Sequence, residues 1–246
     1  MNNYKSCAQW ILDQGRGNNI RVLDYGCGAA EIVTELRRRG VDAYGCDVFY
    51  GGGDYSESIR KSLFDDDIIK KMEMNIIPFD SAVFDFVVHK MVMEHVENID
   101  SVLAEIHRVL KPGGMVLSIF PDKGVFHEGH CGIPFLHWFS KGGRVRVYYA
   151  AAWRAIGIGY HKGDKSIMCW SQDFCEWLDK WTFYRTQQDI DATYNKYFCD
   201  IQHIEEYWLK LRLGRRKMIA TWLPVKLQQF AVRKLSTMVF VARKPV

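Results

Sequence analysis

Apolar and polar positions along this chain switch between two periods. Residues 4–15, carrying Trp10, Ile11 and Leu12, predict a short amphipathic helix. The run Ile20-Arg21-Val22-Leu23-Asp24 reads as a buried strand halted by Gly26-Cys27-Gly28. Ile32, Val33 and Leu36 recur at helical spacing and predict a helix over 30–39 that stops at Gly40. Val41 to Asp47 is a second strand, a glycine loop follows at 51–53, and a polar stretch leads to Ile76-Ile77-Pro78-Phe79. Phe84 to Val88 is the next strand, and 102–110 a helix. Lys111-Pro112-Gly113-Gly114 is a tight turn, and Met115 to Phe120 another buried strand. Strands that are apolar throughout, alternating with helices, predict an α/β fold whose parallel sheet is covered on both faces.

After Pro121 the pattern changes. Residues 122–184 hold five of the eight tryptophans and four of the eight histidines, and thirteen Phe, Tyr and Trp lie between Phe135 and Tyr184. That stretch is too long for a simple connection and is expected to form an aromatic-rich cap inserted after the fifth strand. Thr237 to Ala242 reads as the last strand, Cys199 to His203 as its partner, with a helical insertion at 206–235. The expected organisation is a core at 1–121, a cap and substrate region at 122–197, and terminal strands with a basic helical insertion at 198–246.

Composition narrows the class. Of 246 residues, 48% are hydrophobic and 25% charged, the profile of a folded chain rather than a disordered or fibrous one. No apolar run approaches the roughly 20 residues of a membrane span, and the N-terminus lacks the pattern of a signal peptide. The cytoplasm is the expected compartment. The seven scattered cysteines form no C-x-x-C pair, so reduced thiols are expected, with neither a disulfide framework nor a zinc site. The net charge of +4 is uneven: ten basic and no acidic residues follow Glu206, while the first 206 residues carry a net of −6. A basic tail on an acidic body suggests an anionic partner for that end.

The chemistry is concentrated at the first strand–helix turn. Glycines there allow sharp turning and close approach of a ligand. Position 31 is Glu, which disfavours the G-x-G-x-x-G dinucleotide fingerprint. Asp47 ends the second strand, where a carboxylate can accept from both hydroxyls of a ribose. Five ordered segments then stand together: Val22-Leu23-Asp24-Tyr25-Gly26-Cys27-Gly28; Asp47; Ile77-Pro78-Phe79 leading to Phe84–Val88; Glu94-His95-Val96; and Arg108-Val109-Leu110-Lys111-Pro112-Gly113-Gly114. In these, over about residues 20–121, the chain resembles the class I S-adenosylmethionine-dependent methyltransferases, particularly their small-molecule branch. The resemblance implies a Rossmann-like doubly wound, mostly parallel sheet and S-adenosylmethionine as cofactor. It implies that Asp24 orients the turn and the methionine ammonium, that Tyr25, Gly26, Cys27 and Gly28 border the cofactor, and that Asp47 holds the ribose. Val48 and Met74 would pack on the adenine, Glu73 would accept from its amino group, and His89 would lie beside the methionine moiety. Ala30 replaces a frequent third glycine, with only a slightly different helix start expected.

For the acceptor, His89-Lys90-Met91-Val92 stands where base N-methylating relatives carry Asn/Asp-Pro-Pro-aromatic, which argues against nucleobases. His127 and His130, in the loop after the fifth strand, are the candidate general bases for a hydroxyl. Glu94 and His95 are expected to brace the adjoining helix, His95 alternatively pointing at the acceptor. A ligand set of His127, Glu128, His130 and His137 matches no zinc spacing, and no metal is expected. The expected activity is O-methylation of a small molecule, a sugar of a glycan or lipid-linked glycan included. The alternatives are RNA or protein methylation guided by the basic C-terminal segment, and a non-catalytic binding subunit. Leu223, Leu227, Phe230, Ala231 and Leu235 share a helical stripe that is expected to pack on the sheet or to attach peripherally to an anionic membrane at its inner face. Nucleic acid is not expected as a partner.

Overall fold

The computed structural model describes residues 3–15, 19–50, 54–214 and 222–246. Its seven-stranded sheet comprises β1 (Arg21–Tyr25), β2 (Asp42–Asp47), β3 (Ile69–Lys71), β4 (Phe84–Lys90), β5 (Leu110–Phe120), β6 (Cys199–His203) and β7 (Met238–Arg243). The spatial order is β3-β2-β1-β4-β5-β7-β6. Leu23 stands between Tyr44 and Val87 in parallel register, and Val88 opposite Leu117. Only β7 reverses, pairing antiparallel with β5 and β6. Strand order therefore switches between β1 and β4, which opens a crevice at their carboxyl ends.

Helices cover both faces. On one lie α1 (Asn3–Gln14), α2 (Glu31–Arg38) and α8 (Glu205–Leu213), whose Ile11, Leu36 and Trp208 join Val22, Phe86 and Val88 in one apolar cluster. The short α3 (Lys61–Asp65) adds Leu63 and Phe64 there. On the other face α4 (Ile99–Val109) and α7 (Gln187–Tyr194) bring Leu103, Ile106, Ile190 and Tyr194 against Leu23, Val87 and Phe240. Asn98 caps α4 by accepting from the Ser101 amide, which fixes where that helix starts.

The sequence pattern located most of this frame. The tight turn expected at 111–114 is instead continuous with β5, and Gly113 takes a φ of 74° there. β3, three residues long, was too short for its period to show. Ala30 starts α2 from the left-handed region, φ 58° and ψ 29°, fully buried. The glycine loop at 51–53 and part of the basic insertion, 215–221, lie outside the described residues.

The cap has a small core of its own, in which Cys131, Ile133, Leu136, Ala150, Trp170 and Leu178 pack between α5 (Arg144–Ala155) and α6 (Ile167–Trp181). An Arg146–Asp179 ion pair joins the two helices. The segment expected to be cap through 197 gives its last helix, α7, to the main core. Arg185 marks the return: its guanidinium donates to the carbonyls of Met93, Val96 and Glu97, and the Phe183 amide donates to the Glu94 carbonyl. The cap is thereby tied to the turn that follows β4.

The helix α9 (Val225–Leu235) corrects the expectation that its apolar stripe packs on the sheet. Its polar side faces inward, with Gln228 buried, Arg233 paired with Glu205 and Gln229 donating to Glu206. Leu223, Leu227, Phe230 and Leu235 are 44–69% exposed.

Candidate active site

Each residue of the glycine turn is held by the strands below it. The Gly26 and Cys27 amides both donate to the Cys46 carbonyl, which bends the chain over the end of β2. Gly26 has a φ of 69°, and a Cβ there would lie 2.4 Å from Cγ2 of Val92, so only glycine fits. Gly28, φ 52°, has open space above it: an added Cβ would meet nothing nearer than a Tyr55 ring carbon at 3.8 Å. That open, side-chain-free backbone is what a cofactor lying against the chain needs.

Asp47 accepts from the Gly28 amide at 2.8 Å through one oxygen and from the Phe49 amide at 2.9 Å through the other. Its carboxylate is thus fixed at the end of β2, with one acceptor direction free on each oxygen. Asp24 is buried below the turn, and burial followed by the Asp47 charge pushes its carboxyl well above the usual range. Tyr25 and Cys27 send their side chains into the core and offer only backbone to the turn. Val48 is half-buried, Met74 is 80% exposed with a φ of 51°, and Glu73 is exposed beside it. These three line an open edge next to Asp47, where β2 hands on to β3.

His89 is placed otherwise than the cofactor expectation required. Its ring is fully buried on the α4–α7 face, with Nε2 2.9 Å from Tyr194 Oη and 2.8 Å from Ser118 Oγ. Burial pulls its pKa down to about 3, so the ring is neutral. Residue 89 falls one position past Val88, and the alternation of a strand sends it to the opposite face from Asp24.

The cap brings a second set of groups over the carboxyl end of β4. His130 Nδ1 lies 2.7 Å from Glu128 Oε1, and His130 Nε2 lies 3.2 Å from His95 Nε2. His95 Nδ1 donates to the Trp181 carbonyl at 2.7 Å. Burial acts to raise Glu128, but hydrogen bonds from His130, the Cys131 amide and the Tyr184 hydroxyl hold it down at about 2. Burial likewise pulls on His130, and the Glu128 carboxylate outweighs it, leaving the imidazole above its ordinary value. Beside them Glu94 is buried with neither carboxylate oxygen hydrogen-bonded, and burial raises it to about 7. Aromatic rings wall the group: Trp177 lies 5.1 Å from His130, and Tyr50 is 4.9 Å from Trp181. The Tyr50 ring, three residues past Asp47, lies 6.2 Å from that of His95, so this cluster adjoins the end of β2.

Of the two candidate bases, only His130 joins this set. His127 bonds Tyr160 at 3.2 Å within the cap. His137 is buried against Tyr184 with Nε2 on the Lys123 carbonyl. Glu94 and His95, expected to brace the adjoining helix, lie beside His130, and Tyr50, Trp177 and Tyr184 carried no local signal of a site.

Residues 23–118 match the family described as a methyltransferase domain. The demethylmenaquinone methyltransferase of Staphylococcus epidermidis is 34% identical over 106 residues, 40% of this chain and 42% of that protein. The ubiquinone biosynthesis O-methyltransferase of Maricaulis maris is 30% identical over 99 residues, 40% of this chain and 39% of that one. The chain spans less than half the length of these relatives. Among solved structures, phosphoethanolamine N-methyltransferase 2 of Haemonchus contortus, with phosphomonomethylethanolamine and S-adenosylhomocysteine bound, superposes with a TM-score of 0.56 at 16% identity. The match covers 98% of this chain and 52% of that one. Residues 23–118 thus match a methyltransferase domain, and the sheet that carries them has the class I methyltransferase fold.

Proposed function

We propose that this chain transfers the methyl group of S-adenosylmethionine to an oxygen of a small molecule held under the aromatic cap. The observation that carries the reading is the Glu128-braced His130, set with His95 among Tyr50, Trp177 and Trp181 beside the glycine turn. The turn fits the cofactor: bare backbone at Gly28, a fixed carboxylate at Asp47 for the ribose, and an open edge at Val48, Glu73 and Met74 for the adenine. The cofactor supplies a methyl carbon on sulfonium, whose C–S bond breaks, its electrons passing to sulfur, as the acceptor oxygen forms the new C–O bond.

The protein's part is alignment and proton removal. Glu128 holds His130 with Nδ1–H toward itself, so a deprotonated Nε2, exchanging His95 for an entering hydroxyl, would receive that hydroxyl's proton. The aromatic walls suit a flat or apolar body or a sugar face. Relatives named for quinone biosynthesis support a small acceptor with an apolar body; a glycan or lipid-linked sugar offers the same hydroxyl chemistry.

The test is methyl incorporation from labelled cofactor into fractionated cell extract. Label in the small-molecule or glycan pool is expected, lost in His130→Ala while S-adenosylhomocysteine binding is unchanged. Label in RNA or protein would overturn the reading and make the basic C-terminal segment a substrate clamp. Cofactor binding with label in no pool would mark a non-catalytic subunit.

A second element of the reading is peripheral attachment to an anionic membrane. Among the described residues no helix is long and apolar enough to cross one. The α9 face, however, turns Leu223, Leu227 and Phe230 outward beside Trp222, which is 86% exposed. Phe230 abuts Phe126, which packs on Phe135 and Trp138, two walls of an aromatic cleft of about 420 Å³. Apolar rings outside and a basic segment of chain around them suit an interfacial helix on anionic lipid.

A further inference from the structure

We propose that Glu94, His95 and His130 form a binding site for a divalent transition-metal cation of the zinc class. The inference rests on the acceptor reading above, because it assigns a cation to the point where His130 Nε2 otherwise receives the hydroxyl's proton.

The argument begins with where each ring keeps its proton. The Trp181 carbonyl can only accept, so His95 carries its hydrogen on Nδ1. Glu128 is an ionised carboxylate that already accepts from two amides and a hydroxyl, so His130 likewise carries its hydrogen on Nδ1. The two Nε2 atoms then face each other across 3.2 Å, and a positive centre must lie between them: a proton carried by His130 or, with both rings neutral, a metal ion. Tetrahedral zinc, with Zn–N bonds of about 2.0–2.1 Å, sets two nitrogen ligands roughly 3.3 Å apart. The observed 3.2 Å accommodates two ligands of one ion with no movement of either ring.

Glu94 supplies the third donor. Its ligand atom and those of the two rings all lie within 4.8 Å of one another. It is 1% exposed, and among the described residues neither of its oxygens has a hydrogen-bond partner. A buried carboxylate without partners costs several kcal/mol unless a charge meets it. Nothing tethers it, so it is free to close on a cation without breaking a bond.

The surroundings fit a metal centre in two further ways. Glu128 behind His130 and the Trp181 carbonyl behind His95 are the outer partners that orient ligating imidazoles. The His130 side chain is 21% exposed, which leaves an approach for an added ligand. Two imidazoles and one carboxylate leave a coordination position open, as in catalytic rather than structural sites. An acceptor hydroxyl bound there would lose its proton to water and present its oxygen to the methyl group.

The test uses the full chain, freed of metal by chelation and titrated with Zn2+ by calorimetry and with Co2+ by visible absorption. One ion per chain is expected, with the intense visible bands of low-coordinate cobalt. Glu94→Gln and His130→Ala should each weaken Zn2+ binding at least about 100-fold, and Glu128→Gln roughly 10–100-fold as an outer partner. His161→Ala, elsewhere in the cap, should bind as wild type; circular dichroism checks that every variant is folded. Absent stoichiometric binding, or binding untouched by Glu94→Gln and His130→Ala, would overturn the site. Chelator-insensitive O-methylation without bound Co2+ removes the cation and leaves His130 as the base. Stoichiometric metal without any O-methylated product keeps the cation and removes the acceptor reading.

Discussion

Replacing Asp47 by alanine separates the ribose assignment from the carboxylate's local work. Its two oxygens already take one backbone amide each, from Gly28 at 2.8 Å and Phe49 at 2.9 Å. Each oxygen keeps one further acceptor direction, enough for the two hydroxyls of a ribose. Hydrogen bonds to a charged group contribute about 1.5–3 kcal/mol each. Losing both would cost about 3–6 kcal/mol, and water entering the vacated space returns part of that. A net loss of at least about 1.4 kcal/mol, tenfold in affinity, is the expected floor. Isothermal titration with S-adenosylhomocysteine measures it. Alanine also releases the two amides, so the melting temperature should fall even without cofactor. Asp47→Asn retains one acceptor oxygen and the side chain's size, and should fall between wild type and alanine in both measurements. A folded Asp47→Ala protein that binds S-adenosylhomocysteine as tightly as wild type would refute the assignment.

Three other outcomes follow from the geometry. Gly26→Ala should destabilise the fold by at least about 2 kcal/mol, from the left-handed φ and the contact with Val92. Gly26→Ala with Val92→Ala should recover the contact part only, which urea unfolding of the double-mutant cycle reads; strict additivity would refute the clash. His89, held neutral at about 3 against about 6.5 unfolded, stabilises fully above pH 6.5 and loses that contribution as pH falls toward 3, by up to about 1.4 kcal/mol per pH unit. His89→Gln should flatten that acid limb of the stability profile, and an unchanged slope would place the titration elsewhere. Phe230→Glu and Leu227→Glu should abolish sedimentation with anionic vesicles at low salt without lowering the melting temperature. Undiminished sedimentation would remove α9 as the membrane face.

The parts of the molecule legible in the sequence are those that local chemistry determines. β1, α2, β2 and α4 each carry their own period and stop signal, and the glycine turn and Asp47 lie within one strand–helix–strand unit. The cap's chemistry has no such local signature. His95 and His130 are 35 residues apart and meet only because the returning chain at Phe183–Arg185 docks on the turn after β4. Glu94 reads as a helix brace until its burial without a hydrogen bond is seen. His89 lies one residue past Val88, and the alternation of side chains along β4 sends it to the face opposite Asp24. The α9 stripe was legible as amphipathic, but periodicity alone does not say which side faces in; Glu205 and Glu206, by holding Arg233 and Gln229, decide that.

Arg185 has a bearing on timing. The groups proposed to meet the acceptor come in two halves: Glu94 and His95 belong to the turn after β4, while His130 and Trp177 belong to the cap. The guanidinium that pins the cap to the carbonyls of Met93, Val96 and Glu97 is also what keeps those halves together. On the proposed reading, a displacement of the cap would take His130 away from Glu94 and His95 in the same movement. A methyl donor on the glycine turn would then face no activated oxygen, that of water included.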